Sequence, residues 1–230
     1  MALTAACMGP WSSAAFAQLP QSWTAASLNQ DIGSDWSWMA TGQLRTPMSV
    51  VRWNRGIVDL RLGRSWSAVP NWSVDGTWRT GWEWPLEGGR TATWRWATSL
   101  KWKKNVAKHK LRLRLRHQFG GAWLRPWDRA RWRVQAKWTH DLPKGWKVAP
   151  AVEGFWGRKT LFSEGALWLE PSAIRGRISF DKKVAKRRHV VVGYQVQSPV
   201  MAHPDAIEHT VLLSLEMSLK KPKSRRPKED

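Results

Sequence analysis

Lys110-Leu111-Arg112-Leu113-Arg114-Leu115-Arg116-His117-Gln118-Phe119 is the stretch on which the fold turns. Its odd positions are mostly apolar and its even positions cationic or polar. An extended strand sends successive side chains to opposite faces, so this run carries one leucine face and one arginine face. Wound as a helix, the same arginines would scatter around the whole circumference. The run is a strand.

The same period continues on both sides. Arg129 to Thr139 sets Ala130, Trp132, Val134, Ala136 and Trp138 against Arg129, Arg131, Arg133, Gln135 and Lys137. Thr93 to Lys103 sets Trp94, Trp96, Leu100 and Trp102 against Arg95, Ser99, Lys101 and Lys103, and His209 to Leu219 alternates Val, Leu and Met with Thr, Ser and Glu. With weaker segments added, strands are expected near 22–31, 36–45, 54–66, 73–85, 92–103, 109–119, 129–140, 146–157, 173–181, 188–197 and 208–219. Gly33-Ser34-Asp35, Glu87-Gly88-Gly89, Asn105 within Lys103–Lys108 and Leu142-Pro143-Lys144-Gly145 read as the turns between them. The segments cluster around the ~9–11 residues that a tilted strand needs to cross a bilayer. No apolar run after residue 30 approaches the ~18 residues of a membrane helix. Eleven segments sit awkwardly with the even strand numbers of single-chain bacterial barrels. The expectation is therefore ten to twelve strands, with a further one in 158–172 or one segment outside the wall.

Composition points the same way. The chain of 230 residues carries a formal charge of +21 and holds 20 tryptophans beside one tyrosine and five phenylalanines. Each buried indole N–H needs a partner, so an ordinary core of this size has no room for so many rings, whereas a membrane boundary favours them. Residues 1–17 end in Ser-Ala-Ala-Phe-Ala before Gln18 and read as a signal peptide, with Ala15-Phe16-Ala17 as the small-x-small cleavage pattern. Cys7, the single cysteine, falls inside that leader, so residues 18–219 hold no disulfide or thiolate metal site. The segment 220–230 abandons the alternation for Lys, Arg and Pro and reads as a basic disordered tail.

An open sheet of this many strands would leave two exposed edges, which closure removes. In a soluble sandwich the Trp, Leu and Val faces would point inward. In a membrane barrel they point to lipid and the arginines to the lumen. The leader and the tryptophan count favour the second arrangement: all-β, one domain, a single antiparallel transmembrane β-barrel in the outer membrane of a Gram-negative bacterium. Trp82, Trp84, Trp94, Trp96, Trp102, Trp132 and Trp138 are then lipid-facing. Outer-membrane lipid and lipopolysaccharide are the expected surroundings, and the barrel-assembly machinery the expected route of insertion.

Particular residues resemble a family of bacterial outer-membrane barrels known only as a domain of unknown function. They are Gln21-Ser22-Trp23-Thr24 soon after the leader, Val148-Ala149-Pro150-Ala151-Val152-Glu153-Gly154-Phe155-Trp156, the unit Arg177–Lys183 followed by His189–Gln195, and Glu208-His209 opening the last strand. The resemblance spans residues 21–219. It implies location and architecture and carries no activity. Heavy use of Trp, the basic tail and the lack of a terminal aromatic set this chain apart from the pattern.

The inward cations are the candidate site: Arg95, Lys101, Arg112, Arg114, Arg116, Arg129, Arg131, Arg133 and Lys137. Like charges directly opposite on neighbouring strands are destabilising, so something must offset them. One answer is pairing with Asp59, Glu83, Glu153, Asp181 and Glu216, all of inward parity. The other is a narrow lumen that holds or passes anions, as rings of Arg and Lys do in pores. No catalytic residue, cofactor or metal ligand is assigned. The histidines lack His-x-x-x-His spacing. A lipid-modifying hydrolase is the enzyme rival, but no His is followed by Ser two residues on and there is no Gly-x-Ser-x-Gly elbow. A basic soluble protein binding nucleic acid is the other rival. Such proteins show one basic stripe with a few aromatics, and export would carry this chain away from nucleic acid.

Overall fold

The computed structural model describes residues 21–32, 35–47, 54–84, 89–122, 125–160, 167–200 and 207–219. The leader 1–17 and the tail 220–230 lie outside the described residues. Eleven strands follow one another up and down: β1 (Gln21–Ile32), β2 (Trp36–Pro47), β3 (Arg55–Ser65), β4 (Trp72–Glu83), β5 (Thr91–Val106), β6 (His109–Ala122), β7 (Arg125–Asp141), β8 (Trp146–Thr160), β9 (Leu167–Ala185), β10 (Arg188–Pro199) and β11 (Glu208–Ser218). Each pairs with its chain neighbours, and β1 pairs with β11 to close a barrel. Among the described residues no helix is long and apolar enough to cross a membrane.

The closure corrects two expectations. The ladder is antiparallel everywhere except at the seam, where β1 and β11 run parallel from Gln21 beside Thr210 to Asn29 beside Ser218. An up-and-down chain with an odd number of strands must end in the direction in which it began, so its first and last strands meet in parallel. The count is therefore eleven and odd. Among the described residues of 158–172 there is no further strand. That stretch lengthens β8 to Thr160 and starts β9 at Leu167.

One end of the barrel carries the connections around 33–35, 66–71, 107–108, 142–145 and 186–187. The other carries 48–54, 84–90, 123–124, 161–166 and 200–207, most of them longer. At the short-turn end, Lys144 and Gly145 both take positive φ (57° and 73°) to reverse the chain after Pro143. The β5–β6 reversal falls on Ala107, with φ 50°, and Lys108, inside the expected Lys103–Lys108 stretch and at its far end. Asn105 is still paired with Lys110 and Val106 with His109, so the ladder runs past Asn105 before the chain turns.

The alternation sorts the side chains as the period demands. Leu60, Leu62, Val152 and Ile174 point outward and are about half exposed (53, 50, 53 and 55 %). Asp75, Ser99, Arg116, Gln118, Glu153, Gln195 and Thr210 point inward and are buried. This inverts a soluble protein, which hides aliphatic side chains and wets its charges. Apolar wall, polar interior.

Candidate functional site

The barrel interior is built by the inward positions of adjacent strands, and the register decides who meets whom. Asp75 on β4 stands beside Ser99 on β5, which stands beside Arg116 on β6, which stands beside Arg133 on β7. Asp75 is 1 % exposed, and three cations reach it: Lys101 Nζ at 2.5 Å, Arg116 Nη2 at 3.6 Å and Arg61 Nε at 3.7 Å. Thr77 donates a further hydrogen bond to Oδ1 at 3.1 Å.

A second carboxylate does the same work on the neighbouring wall. Glu153 on β8, 2 % exposed, accepts two hydrogen bonds from Arg133 at 2.6 and 3.0 Å, one from Arg114 at 3.0 Å and one from Arg175 at 3.3 Å. The Phe155 ring lies beneath the guanidinium carbons of Arg133 and Arg175, each 4.7 Å from its centroid. Paired and hydrogen-bonded in this way, buried charges escape the desolvation penalty that an isolated ion would suffer. Around these hubs, Arg79 grips Asp59 through two contacts of 2.6 Å, Arg55 pairs with Glu83, and His189 meets Asp181 at 2.9 Å.

The sequence candidates thus divide. Lys101, Arg114, Arg116 and Arg133 are held by the two carboxylate hubs. Arg131 points inward and donates to Gln118 at 2.9 Å. Arg95 faces the lumen opposite Arg79. Arg112 and Lys137 stand directly opposite each other, and no described carboxylate lies within ion-pair distance of either. Arg129 belongs to β7, but its side chain lies outside the described residues. Asp75, Arg61, Arg79, Arg175 and Arg177 are inward positions of the same interior that the sequence reading did not single out. Parity with Thr77 and Arg79 was the signal for Asp75.

Beside the first hub a cavity of about 320 Å³ opens at the short-turn end, with Arg61, Asp75 and Lys101 at its floor and Asn29, Ser37 and Ser73 on its walls. Among the described residues no group of three or more His, Cys, Asp or Glu converges as a metal site would.

On the outside, all seven sequence-assigned tryptophans face away from the lumen. Trp72 stands opposite Trp102, Trp78 opposite Trp96, and Trp132 opposite Trp156. Trp78 also stacks on Trp94 at 5.5 Å. Trp84, just beyond β4, lies over Gly56, whose missing Cβ would sit 3.0 Å from the indole. Trp23, by contrast, faces the inside, with the Arg45 guanidinium 3.7 Å from its ring centroid. It shares the inward parity of Ser27, so its membership of a strand gave no sign of lipid contact.

Residues 20–207 match the model of the family described as Protein of unknown function (DUF2490), and the chain belongs to that family. The match covers the resemblance from residue 21 to 207 and stops before Glu208-His209. No curated protein matches the chain significantly.

Proposed function

We propose that this DUF2490 protein is an outer-membrane β-barrel of structural or passive role, whose cationic interior binds or passes small anions. The observation that carries the membrane reading is the inversion of the wall. Aliphatic side chains half exposed around the barrel would present water with far more than the few hundred Å² of contiguous apolar surface that soluble monomers tolerate. Lipid removes that cost.

The tryptophans supply the dimension. On β4, Trp72 and Trp82 flank the outer face at its two ends. Their separation, at about 3.3 Å per residue, is about 33 Å along the strand. A strand tilt of roughly 35–45° shortens this to about 25 Å along the barrel axis, the height of the apolar band in outer-membrane barrels. Trp36, Trp102, Trp138 and Trp146 extend the girdle at the short-turn end, and Trp84, Trp94 and Trp156 extend the other. At the first girdle, Arg64 lies 5.3 Å over Trp36 and Lys182 lies 5.0 Å over Trp146. A cation beside an amphipathic ring suits a headgroup boundary.

Support for the anion reading is the excess of inward cations over carboxylates. Each buried hub sets three cations around one carboxylate, leaving net positive charge inside a low-dielectric wall. Such a field raises the local concentration of anions. The deciding experiment is fractionation of the expressed full-length protein, read by migration on a detergent gel with and without boiling. Recovery in the outer membrane with a heat-dependent shift is the expected result. Recovery of the protein in the soluble fraction would sink the reading.

A further inference from the structure

We infer that a single register row of cations, Lys103, Arg112, Lys137 and Arg177, forms a binding site for a soluble phosphate-bearing anion inside the short-turn mouth. The inference rests on the proposed cationic lumen and names the site and the chemistry within it.

The row is fixed by pairing. Lys103 on β5 is the direct partner of Arg112 on β6, Arg112 of Lys137 on β7, Lys137 of Ala151 on β8, and Ala151 of Arg177 on β9. Directly opposed side chains stand about 4.5–5.5 Å apart at Cβ, where like charges repel. At the two carboxylate hubs the same conflict is resolved. Arg116 and Arg133 are also direct partners, and each turns to its own buried carboxylate. In this row nothing comparable is present. Among the described residues no carboxylate comes within ion-pair distance of any of the four. The Arg177 Nε is buried with no hydrogen-bond acceptor. Glu216 on β11 acts on Arg112, Lys137 and Arg177 only through space, together with Asp181 for Lys137 and Glu153 for Arg177. Asp181 is occupied by His189, and Glu153 by its own three arginines.

The geometry gives the ligand room and access. Ala151 interrupts the row with a single methyl group, so no charged side chain stands between Lys137 and Arg177. Lys103 and Arg112 are exposed, so the row is reached from the short-turn mouth. The Arg61–Asp75–Lys101 cavity opens at the same mouth, and the Arg61 charge is felt at Arg112. Two guanidinium forks and two ammonium groups match the oxygens of a phosphate or diphosphate better than a monovalent halide, because arginine binds such oxyanions through paired hydrogen bonds. The row lies on the inner face of the wall, so the phosphate comes from a soluble molecule and not from a bilayer headgroup.

The probe is inorganic pyrophosphate, titrated calorimetrically at low salt into the full-length protein folded in detergent. Saturable binding to the wild type is expected, at least tenfold weaker in the double variant Arg112→Gln/Lys137→Gln and unchanged in Lys182→Gln, which lies on the outer face over Trp146. Because the double variant relieves repulsion, it should melt at a higher temperature than the wild type in phosphate-free buffer and lose the rise that pyrophosphate gives the wild type. A double variant that fails to fold, melts lower or still binds pyrophosphate overturns the site. Competition by phosphatidylglycerol vesicles also overturns it, since a headgroup would then be the phosphate source. Failure of the broader reading looks different. A barrel in the outer membrane that ignores pyrophosphate loses the site alone, whereas one that binds pyrophosphate but is found outside the membrane keeps the site and loses the location.

Discussion

Arg116 and Arg133 stand directly opposite each other on β6 and β7 and turn apart, Arg116 to Ser99 and Asp75 and Arg133 to Glu153. Two like charges that would repel across one ladder position are thereby drawn in opposite directions around the wall. The barrel interior is organised around those two carboxylates. Neither hub is local in sequence: Asp75 gathers residues from β3, β5 and β6, and Glu153 from β6, β7 and β9.

Glu153→Gln should therefore be among the most damaging single changes. It removes the shared charge from three arginines, of which Arg133 is itself buried. Breaking a buried pair from one side costs about 3–5 kcal/mol because the partner charge is left uncompensated. The expected outcome is a lower temperature for loss of the folded gel band, with Asp141→Asn as the exposed control. Asp141 meets only Lys147, at 3.4 Å near the surface, where a pair is worth about 0–1 kcal/mol.

Outward substitutions read the membrane directly. Leu115 lies midway along β6 on the outer face, and Val106 ends β5 at the rim. In lipid, Leu115→Arg should cost about 2–4 kcal/mol and Val106→Arg about 0–1 kcal/mol. Denaturant unfolding from bilayers measures the difference. Equal effects at the two positions would mean that both side chains meet the same solvent.

Two glycines predict opposite responses to the same substitution. A Cβ on Gly120 would meet the Trp94 carbonyl oxygen at 2.2 Å and the Arg95 Cα at 2.8 Å, both backbone atoms that cannot swing aside. Gly120→Ala should force β5 and β6 apart at a cost of about 1–3 kcal/mol or more. Gly42 has nothing within 4 Å, so Gly42→Ala should stay within about 0.5 kcal/mol. Unfolding midpoints of the two variants test the pairing of β5 with β6.

The odd strand count makes a topological prediction. β1 starts at the long-connection end and β11 finishes at the short-turn end, so the two chain ends leave the barrel on opposite sides. In outer-membrane barrels the longer loops are extracellular and the short turns periplasmic. An epitope placed before Gln21 should be reached by antibody on intact cells, and one placed after Leu219 only once the outer membrane is opened. Both epitopes on one side would contradict the parallel seam.

Much of this architecture was legible in the residues. Every expected strand is present, and Leu113, Leu115, Trp132 and Val134 face outward as their parity required, because alternation is a property of the extended backbone and needs no partner. Turn positions were less legible. Asn105 carries a turn propensity that the continuing β5–β6 ladder overrides, so within the expected Lys103–Lys108 stretch the reversal falls at its far end, on Ala107 and Lys108.

What the sequence determined by itself was the class of the fold and the sorting of its faces: which side chains share the apolar wall and which share the charged interior. Only the tertiary structure decided how the strands were counted and closed, that Asp75 and Glu153 would each collect three cations, and that Lys103, Arg112, Lys137 and Arg177 would be left aligned without a carboxylate. Alternation is set by bond geometry within one strand. Pairing is set by register between strands, and register accumulates around the whole barrel until β1 meets β11. No single segment contains that information.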